Sequence, residues 1–116
     1  MSGSKKVLML GGDLMARDRL LTAASGAGAE VNAVGFGQLV ASLGSDRVDL
    51  LVVDLDGGRE PALKEIESAR QRGLLPTRVV GYFSHVDDDL ARAARKGGCE
   101  PIARGKFWQQ IGELVE

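Results

Sequence analysis

The sequence has few of the residues that build disulfides, metal centres and membrane spans. Its 116 residues include one cysteine, Cys99, and one histidine, His85, so it can form neither an internal disulfide nor a Cys/His zinc site. No run of 18 apolar residues is present, which argues against a transmembrane helix. We therefore expect a cytoplasmic protein with no membrane association.

Charge and proline content narrow the class further. The formal net charge is −1, so there is no basic excess of the kind that binds nucleic acid. Only three prolines occur, whereas 16 glycines punctuate the chain at regular intervals, which indicates many short elements separated by turns. With 44% hydrophobic and 27% charged residues, the composition is typical of a globular protein. We expect residues 1–4 to be disordered and residues 5–116 to form one domain.

Apolar runs alternate with amphipathic segments along the whole chain. The runs predict strands at residues 5–10, 30–34, 48–54, 77–83 and 100–103. The first helix is predicted to be capped by Asp13 and to end near Gly28, and further helices are predicted at residues 36–43, 60–72, 87–96 and 106–115. Short connections between them favour a parallel sheet with five helices distributed over both faces. The α/β fold predicted is flavodoxin-like, with strand order 2-1-3-4-5.

Polar residues follow the strands of this predicted sheet. Residues 48–54 form a run with no polar face that ends in Asp54, and Asp56 follows. The carboxyl ends of parallel strands meet at one edge, where such sheets place their chemistry. The residues expected at that edge are Gly11, Gly12, Asp13, Asp54, Asp56, Ser84, His85, Arg104, Gly105 and Lys106.

This arrangement resembles the receiver domain of two-component response regulators, the CheY-like family. In that family the third strand ends in an aspartate that accepts phosphate from a histidine kinase, and two acids after the first strand hold Mg²⁺. A Ser or Thr ends the fourth strand, and a Lys ends the fifth. The resemblance makes Asp54 the phosphoacceptor position and Ser84 the hydroxyl that contacts the phosphoryl group. The lysine position falls on Arg104, with Lys106 two residues further.

Several positions depart from the family pattern. The acidic pair falls on Gly11 and Gly12, and the aromatic switch position falls on Pro101. Receiver phosphorylation depends on Mg²⁺ to neutralise the moving phosphoryl group, and Mg²⁺ requires oxygen ligands that only Asp13 and Asp56 remain to supply beside the acceptor. We therefore expect no bound metal or other cofactor, and an ion pair between the acceptor and Arg104. The pattern predicts an atypical, or pseudo-, receiver that is not an enzyme and signals through protein–protein interaction.

Two alternatives remain open. The first is a true single-domain response regulator, phosphorylated on Asp54 by a histidine kinase, with Mg²⁺ held by Asp13 and Asp56. The second is a small phosphatase that uses Asp54 as its nucleophile. Residues 54–57 read Asp-Leu-Asp-Gly and resemble the Asp-x-Asp-Gly opening of haloacid-dehalogenase-like phosphatases, but that family carries the motif on its first strand and not on the third.

The last predicted helix offers a candidate interface. Phe107, Ile111 and Leu114 share one face and are expected in the core, while Trp108 and Val115 lie on an adjacent flank. Tryptophan is over-represented at the centres of protein interfaces. The resemblance implies that a protein partner, or a second copy of the chain in a homodimer, binds the face formed by helix 4, strand 5 and helix 5. The single cysteine, Cys99, is expected to fill space in the core, and the single histidine, His85, is expected to lie in a surface loop.

Overall fold

The computed structural model describes residues 5–56, 59–84 and 88–116, and its strands and helices alternate. The strands are β1 (Lys6–Leu10), β2 (Glu30–Val34), β3 (Leu50–Asp54), β4 (Arg78–Phe83) and β5 (Glu100–Ala103). The helices are α1 (Leu14–Ala27), α2 (Leu39–Ser45), α3 (Arg59–Gln71), α4 (Asp88–Lys96) and α5 (Arg104–Leu114). All strands pair in parallel in the order β2-β1-β3-β4-β5, which confirms the predicted topology.

The sheet divides the core into two layers because successive strand residues point to opposite faces. On one face, Val7, Met9 and Val52 pack with Tyr82 and with the buried side chains of α1 and α5. On the other face, Leu8, Leu10, Leu51 and Val53 pack with α2, α3 and α4. Helices on both faces explain why the inner strands β1, β3 and β4 read as nearly continuous apolar runs.

Strand β3 lies at the centre of the sheet and is buried along its whole length. Close packing beside it requires Gly81 of β4, since a Cβ there would lie 2.8 Å from both Leu55 Cδ1 and Cys99 Sγ. Cys99 is buried, as predicted for a core-filling residue, and this burial raises the pKa of its thiol to about 12. No helix in residues 5–56, 59–84 and 88–116 is long and apolar enough to cross a membrane.

The prediction of α2 at residues 36–43 was wrong, because the helix begins at Leu39 and ends at Ser45. Gly37 has a φ of +93°, which no helix can contain, so the helix starts after it. One unpaired backbone N–H of the first turn finds its acceptor on another helix, since the Leu39 N–H donates to Glu65 Oε1 of α3 at 3.1 Å.

Other boundaries shifted by smaller amounts. β3 begins at Leu50 and not at residue 48, while α5 begins at Arg104 and not at residue 106. The predicted N-cap of α1 is confirmed, because Asp13 Oδ1 accepts a hydrogen bond from the Ala16 N–H at 2.8 Å. The predictions for residues 1–4 and for His85 lie outside the described residues.

Candidate functional site

Asp54 is the last residue of β3 and lies at the carboxyl edge of the sheet. Only 7% of Asp54 is exposed, because it belongs to a strand that is buried along its whole length and pairs in register with Tyr82 of β4. Its Oδ1 accepts a hydrogen bond from the Asp56 N–H at 2.9 Å, a contact that orients the carboxylate against its own loop. The phosphoacceptor position predicted from the sequence is thus a nearly buried carboxylate in a defined orientation.

Asp56 joins three elements through its two carboxylate oxygens. Oδ1 accepts from the Ser84 backbone N–H at 2.8 Å, and Oδ2 accepts from the Ser84 hydroxyl at 2.6 Å. Oδ2 also accepts from Arg104 Nη1 at 3.2 Å, so the end of β4 and the start of α5 meet on one side chain. Arg104 thus pairs with Asp56, two residues beyond its expected partner. Hydrogen bonds to a charged acceptor are the stronger class, so Asp56 organises this edge.

Arg104 also lies against Tyr82, with its Cζ 5.4 Å from the centre of the ring. Tyr82 is fully buried, and its hydroxyl has no hydrogen-bond partner among the described residues. Burial is the main cause that raises the pKa of Tyr82, and the nearby charge of Asp54 raises it further. Tyr82 therefore stays neutral and forms an aromatic wall beside the guanidinium.

The two positions that the resemblance assigns to the acidic pair are glycines in this protein. Gly11 and Gly12 have φ angles of +77° and +84°, a region that residues with a Cβ rarely adopt. A Cβ on Gly12 would lie 2.5 Å from Met9 Cε, and one on Gly11 would lie 3.3 Å from Phe36 Cζ. The loop after β1 therefore has a backbone course that suits glycine and not a pair of acids.

The described residues do not fit a Mg²⁺ ion. Mg²⁺ takes near-octahedral oxygen ligands, usually one or two carboxylates with waters. Asp13 Oδ1 is committed to the N-cap of α1, and both oxygens of Asp56 accept hydrogen bonds from Ser84 or Arg104. Over residues 5–56, 59–84 and 88–116, no three Asp, Glu, His or Cys side chains cluster as a metal-binding group.

A cleft of about 470 Å³ opens above this edge, and besides Gly35 it is lined by two side chains that the sequence interpretation missed. Arg17 lines it and donates from Nε to the Gly11 carbonyl at 3.4 Å. Phe36 lines it as well and is 39% exposed. The position of Phe36 just after β2 could have revealed it, because the carboxyl end of every strand in the sheet faces this edge.

Two predicted residues lie away from the cleft. Lys106 is exposed and lines a groove beside β5, together with Pro101 and Gln110. Trp108 lies on the side of α5 that faces α1, where Arg19 Cζ stacks 4.5 Å from its ring centre. Val115, expected on the same flank, follows the helix and is fully buried. The structure thus separates Trp108 from the groove that Lys106 lines.

The fold can be compared directly with solved structures. A response regulator from Thermotoga maritima superposes with a TM-score of 0.79 at 22% identity, covering 97% of this chain and 94% of that chain. The receiver fold is therefore that of this chain. The chemotaxis protein CheY4 of Vibrio cholerae superposes with a TM-score of 0.80 at 13% identity, covering 98% and 100% of the two chains.

A third structure with the receiver fold comes from a larger regulator. The signal receiver domain of the putative response regulator NarL from Mycobacterium tuberculosis matches with a TM-score of 0.74 at 20% identity, over 98% of this chain and 94% of that one. No protein-family model and no curated protein matches the sequence. The receiver fold is common to all three structures, while the roles of Asp54, Ser84 and Arg104 in this chain stay predictions.

Proposed function

We propose that this chain is a receiver-like signalling module, not an enzyme, that acts in the cytoplasm by binding another protein, with little or no Mg²⁺-dependent phosphorylation of Asp54. One observation carries the proposal. Asp56, next to the acceptor position, is occupied by Ser84 and Arg104 on both carboxylate oxygens. The positions that hold Mg²⁺ in receivers are glycines in this chain.

Charge at the edge of the sheet supports this reading. A phosphoryl group on Asp54 would add about two negative charges next to Asp56. Receivers neutralise such charge with Mg²⁺ and a lysine, whereas the cation present here is a guanidinium already paired with Asp56. The planar guanidinium is a rigid fork, unlike the point charge of a lysine, so neutralising a phosphoryl group on Asp54 would require Arg104 to leave Asp56.

The contacts of the Ser84 hydroxyl support a site that keeps one conformation. In receivers the Ser or Thr at this position hydrogen-bonds the phosphoryl group. Here the Ser84 hydroxyl donates to Asp56 at 2.6 Å, and its backbone N–H donates to the same carboxylate. Both groups are therefore already satisfied without a phosphoryl group.

We place the partner surface on the groove beside β5, which lies on the face that the resemblance to receivers implies for partner binding. The groove beside β5 has a volume of about 330 Å³, and its lining combines apolar side chains with the exposed charged residues Glu100 and Lys106. Its lining residues are Glu100, Pro101, Ile102, Ala103, Lys106 and Gln110. Arg104 is the first residue of α5 and directly follows β5, so its ion pair with Asp56 holds the start of α5 in place beside this groove. We propose that a partner protein binds the groove in this conformation.

Mass spectrometry of the intact protein tests the proposal. The purified chain is incubated with a small-molecule phosphodonor and Mg²⁺, beside a phosphorylatable receiver as positive control. We expect no phosphoryl adduct on this chain under conditions that modify the control fully. Asp56→Ala, which frees Ser84 and Arg104, is expected to remain unmodified because the metal ligands are still absent.

A stoichiometric adduct that disappears in Asp54→Asn would overturn the proposal and establish a phosphorylated response regulator instead. Turnover of generic phosphoesters that is lost in Asp54→Ala would likewise contradict it, in favour of a phosphatase.

A further inference from the structure

The sheet has two outer strands, and they differ in how their free edges are protected. β5 is four residues long and contains Pro101, which has no N–H to offer to a further strand. β2 is hydrogen-bonded to β1 on one side, and its residues 31–34 include neither a charged residue nor a proline. β2 therefore lacks two of the features by which edge strands avoid pairing with another chain.

The first and last residues of β2 bond to β1 and to the loop that follows it. The Glu30 N–H donates to the Lys5 carbonyl at 2.9 Å, and the Val34 carbonyl accepts from the Gly11 N–H at 3.0 Å. Alternate residues of a parallel strand face the same neighbour, so the middle residue, Asn32, faces β1 as well. The backbone groups of the two residues in between face away from the sheet.

Those two residues are Val31 and Ala33, which together present two N–H and two C=O groups to the outside. The edge closes beyond them, because the Gly35 N–H donates to Gln38 Oε1 at 3.1 Å. Ala33 on the α1 side of the sheet and Asn32 on the α2 side are both exposed, so neither helix covers the edge. The free part of the edge is thus a short, uncovered row of four backbone groups.

These four groups are complementary to the same four groups of a second copy turned by half a turn. If a two-fold axis passes through Asn32, then Val31 of each copy lies opposite Ala33 of the other. Each such pair exchanges two hydrogen bonds, as in an antiparallel ladder. The two pairs then satisfy every outward N–H and C=O group of both strands.

The side chains fit the same axis. On the α1 side the branched Val31 meets the small Ala33, and it does so twice. On the α2 side Asn32 meets its own copy in a non-hydrogen-bonded pair, where the Cα atoms lie about 4.5 Å apart. Within residues 5–56, 59–84 and 88–116 the Asn32 amide has no hydrogen-bond partner, and it lines a groove of about 340 Å³ beneath α2. An amide can both donate to and accept from a second amide, so Asn32 suits a position on the axis.

We infer that the free edge of β2 binds β2 of a second copy of this chain, which joins the two five-stranded sheets into one continuous sheet with Asn32 on the two-fold axis. The expected strength follows from the size of the contact. A strand of five residues is about 17 Å long, and such an edge contact is smaller than the about 800 Å² per partner of a standard interface. The dimer is therefore weak, with a Kd of about 0.1–1 mM.

Charge substitutions at Asn32 test the inference, because a residue on a two-fold axis meets its own copy. Asn32→Asp places two carboxylates opposite each other, and Asn32→Lys places two ammonium groups there, so each variant is expected to lose at least about tenfold in dimer affinity. An equimolar mixture of the two variants is expected to regain the dimer, because opposite charges then meet. Sedimentation equilibrium of the full chain from about 10 µM to about 1 mM measures these affinities, and circular dichroism checks that each variant is folded.

Amide hydrogen exchange locates the contact. The N–H groups of Val31 and Ala33 are expected to exchange more slowly at about 1 mM than at about 10 µM, while that of Asn32, which faces β1, is expected to change little. Gln109→Asp and Gln109→Lys are the matched controls, since they make the same charge changes at an exposed amide on α5. Both are expected to dimerise like the wild type.

A wild-type chain that stays monomeric at about 1 mM would overturn the inference. So would an Asn32 variant that dimerises like the wild type, a mixture that fails to dimerise, or slowed exchange that is confined to other elements. None of these measurements depends on the state of Asp54, so failure of the inference is distinct from failure of the proposed function.

Discussion

The Asp56 side chain is expected to contribute more to stability than any other group at the carboxyl edge of the sheet. Asp56→Ala removes the acceptor of two hydrogen bonds from Ser84, at 2.8 and 2.6 Å, and of the 3.2 Å contact from Arg104. A hydrogen bond to a charged group contributes about 1.5–3 kcal/mol. Because the Asp56 side chain is 27% exposed, the lower end applies to each.

The ion pair adds less, since 40% of the Arg104 side chain is exposed as well and exposed pairs contribute about 0.2–1 kcal/mol. The free energy of unfolding should therefore fall by about 3–4 kcal/mol in Asp56→Ala. Ser84→Ala loses one hydrogen bond, about 1.5 kcal/mol. Arg104→Ala loses the ion pair and its stacking on Tyr82, about 1–2 kcal/mol.

Urea unfolding followed by circular dichroism measures these values, because a chain of 116 residues is expected to unfold in one transition. Asp89→Ala is the control, since it breaks an ion pair that is far more exposed, and it should cost less than about 1 kcal/mol. The reasoning is refuted if Asp56→Ala costs no more than this control. It is also refuted if Arg104→Ala destabilises the chain as much as Asp56→Ala does.

Three further outcomes are expected. Gly12→Ala should lower the unfolding free energy by about 1–3 kcal/mol, since φ is +84° and the new Cβ meets Met9, whereas Gly26→Ala, which meets nothing, should not destabilise in a thermal melt. Asp13→Ala should cost about 0.5–2 kcal/mol in the same assay through loss of the N-cap, and no loss would contradict the cap. Burial raises the pKa of Cys99 to about 12. Its thiol should therefore react with a disulfide reagent at pH 8 at least about 100-fold more slowly in the folded protein than in urea, where the pKa of a free cysteine is near 8.5. Equal rates in the two states would contradict the burial of Cys99.

The sheet was predictable because its strands are covered on both faces. A strand such as Leu50–Asp54, buried on every residue, leaves an unbroken apolar run in the sequence. Short strand–helix connections then allow few topologies, and the observed order is the predicted one. The topology in turn brings Asp54 and Ser84 to one edge, as the predicted strand order implied.

The partners of individual side chains were not predictable in the same way. Arg104 lines the same cleft as Asp13, Asp54 and Asp56, and only the side-chain geometry shows that Asp56 is its partner. The start of α2 depends on the conformation of Gly37 and on the hydrogen bond that the Leu39 N–H donates to Glu65, 26 residues away. The direction of Trp108 depends on how α5 is rotated against α1, which helical spacing alone does not define.

Titration of the isotopically labelled chain with Mg²⁺, followed by amide chemical shifts, tests the central claim most directly. Four amides report the carboxyl edge of the sheet, those of Gly11, Asp54, Asp56 and Ser84. Protein that has been treated with EDTA and then freed of it gives the metal-free baseline. Because Asp13, Asp56 and Arg104 are held in the contacts described above, these amides should show no saturable shift up to about 20 mM Mg²⁺. Saturable shifts confined to these four residues would contradict the account.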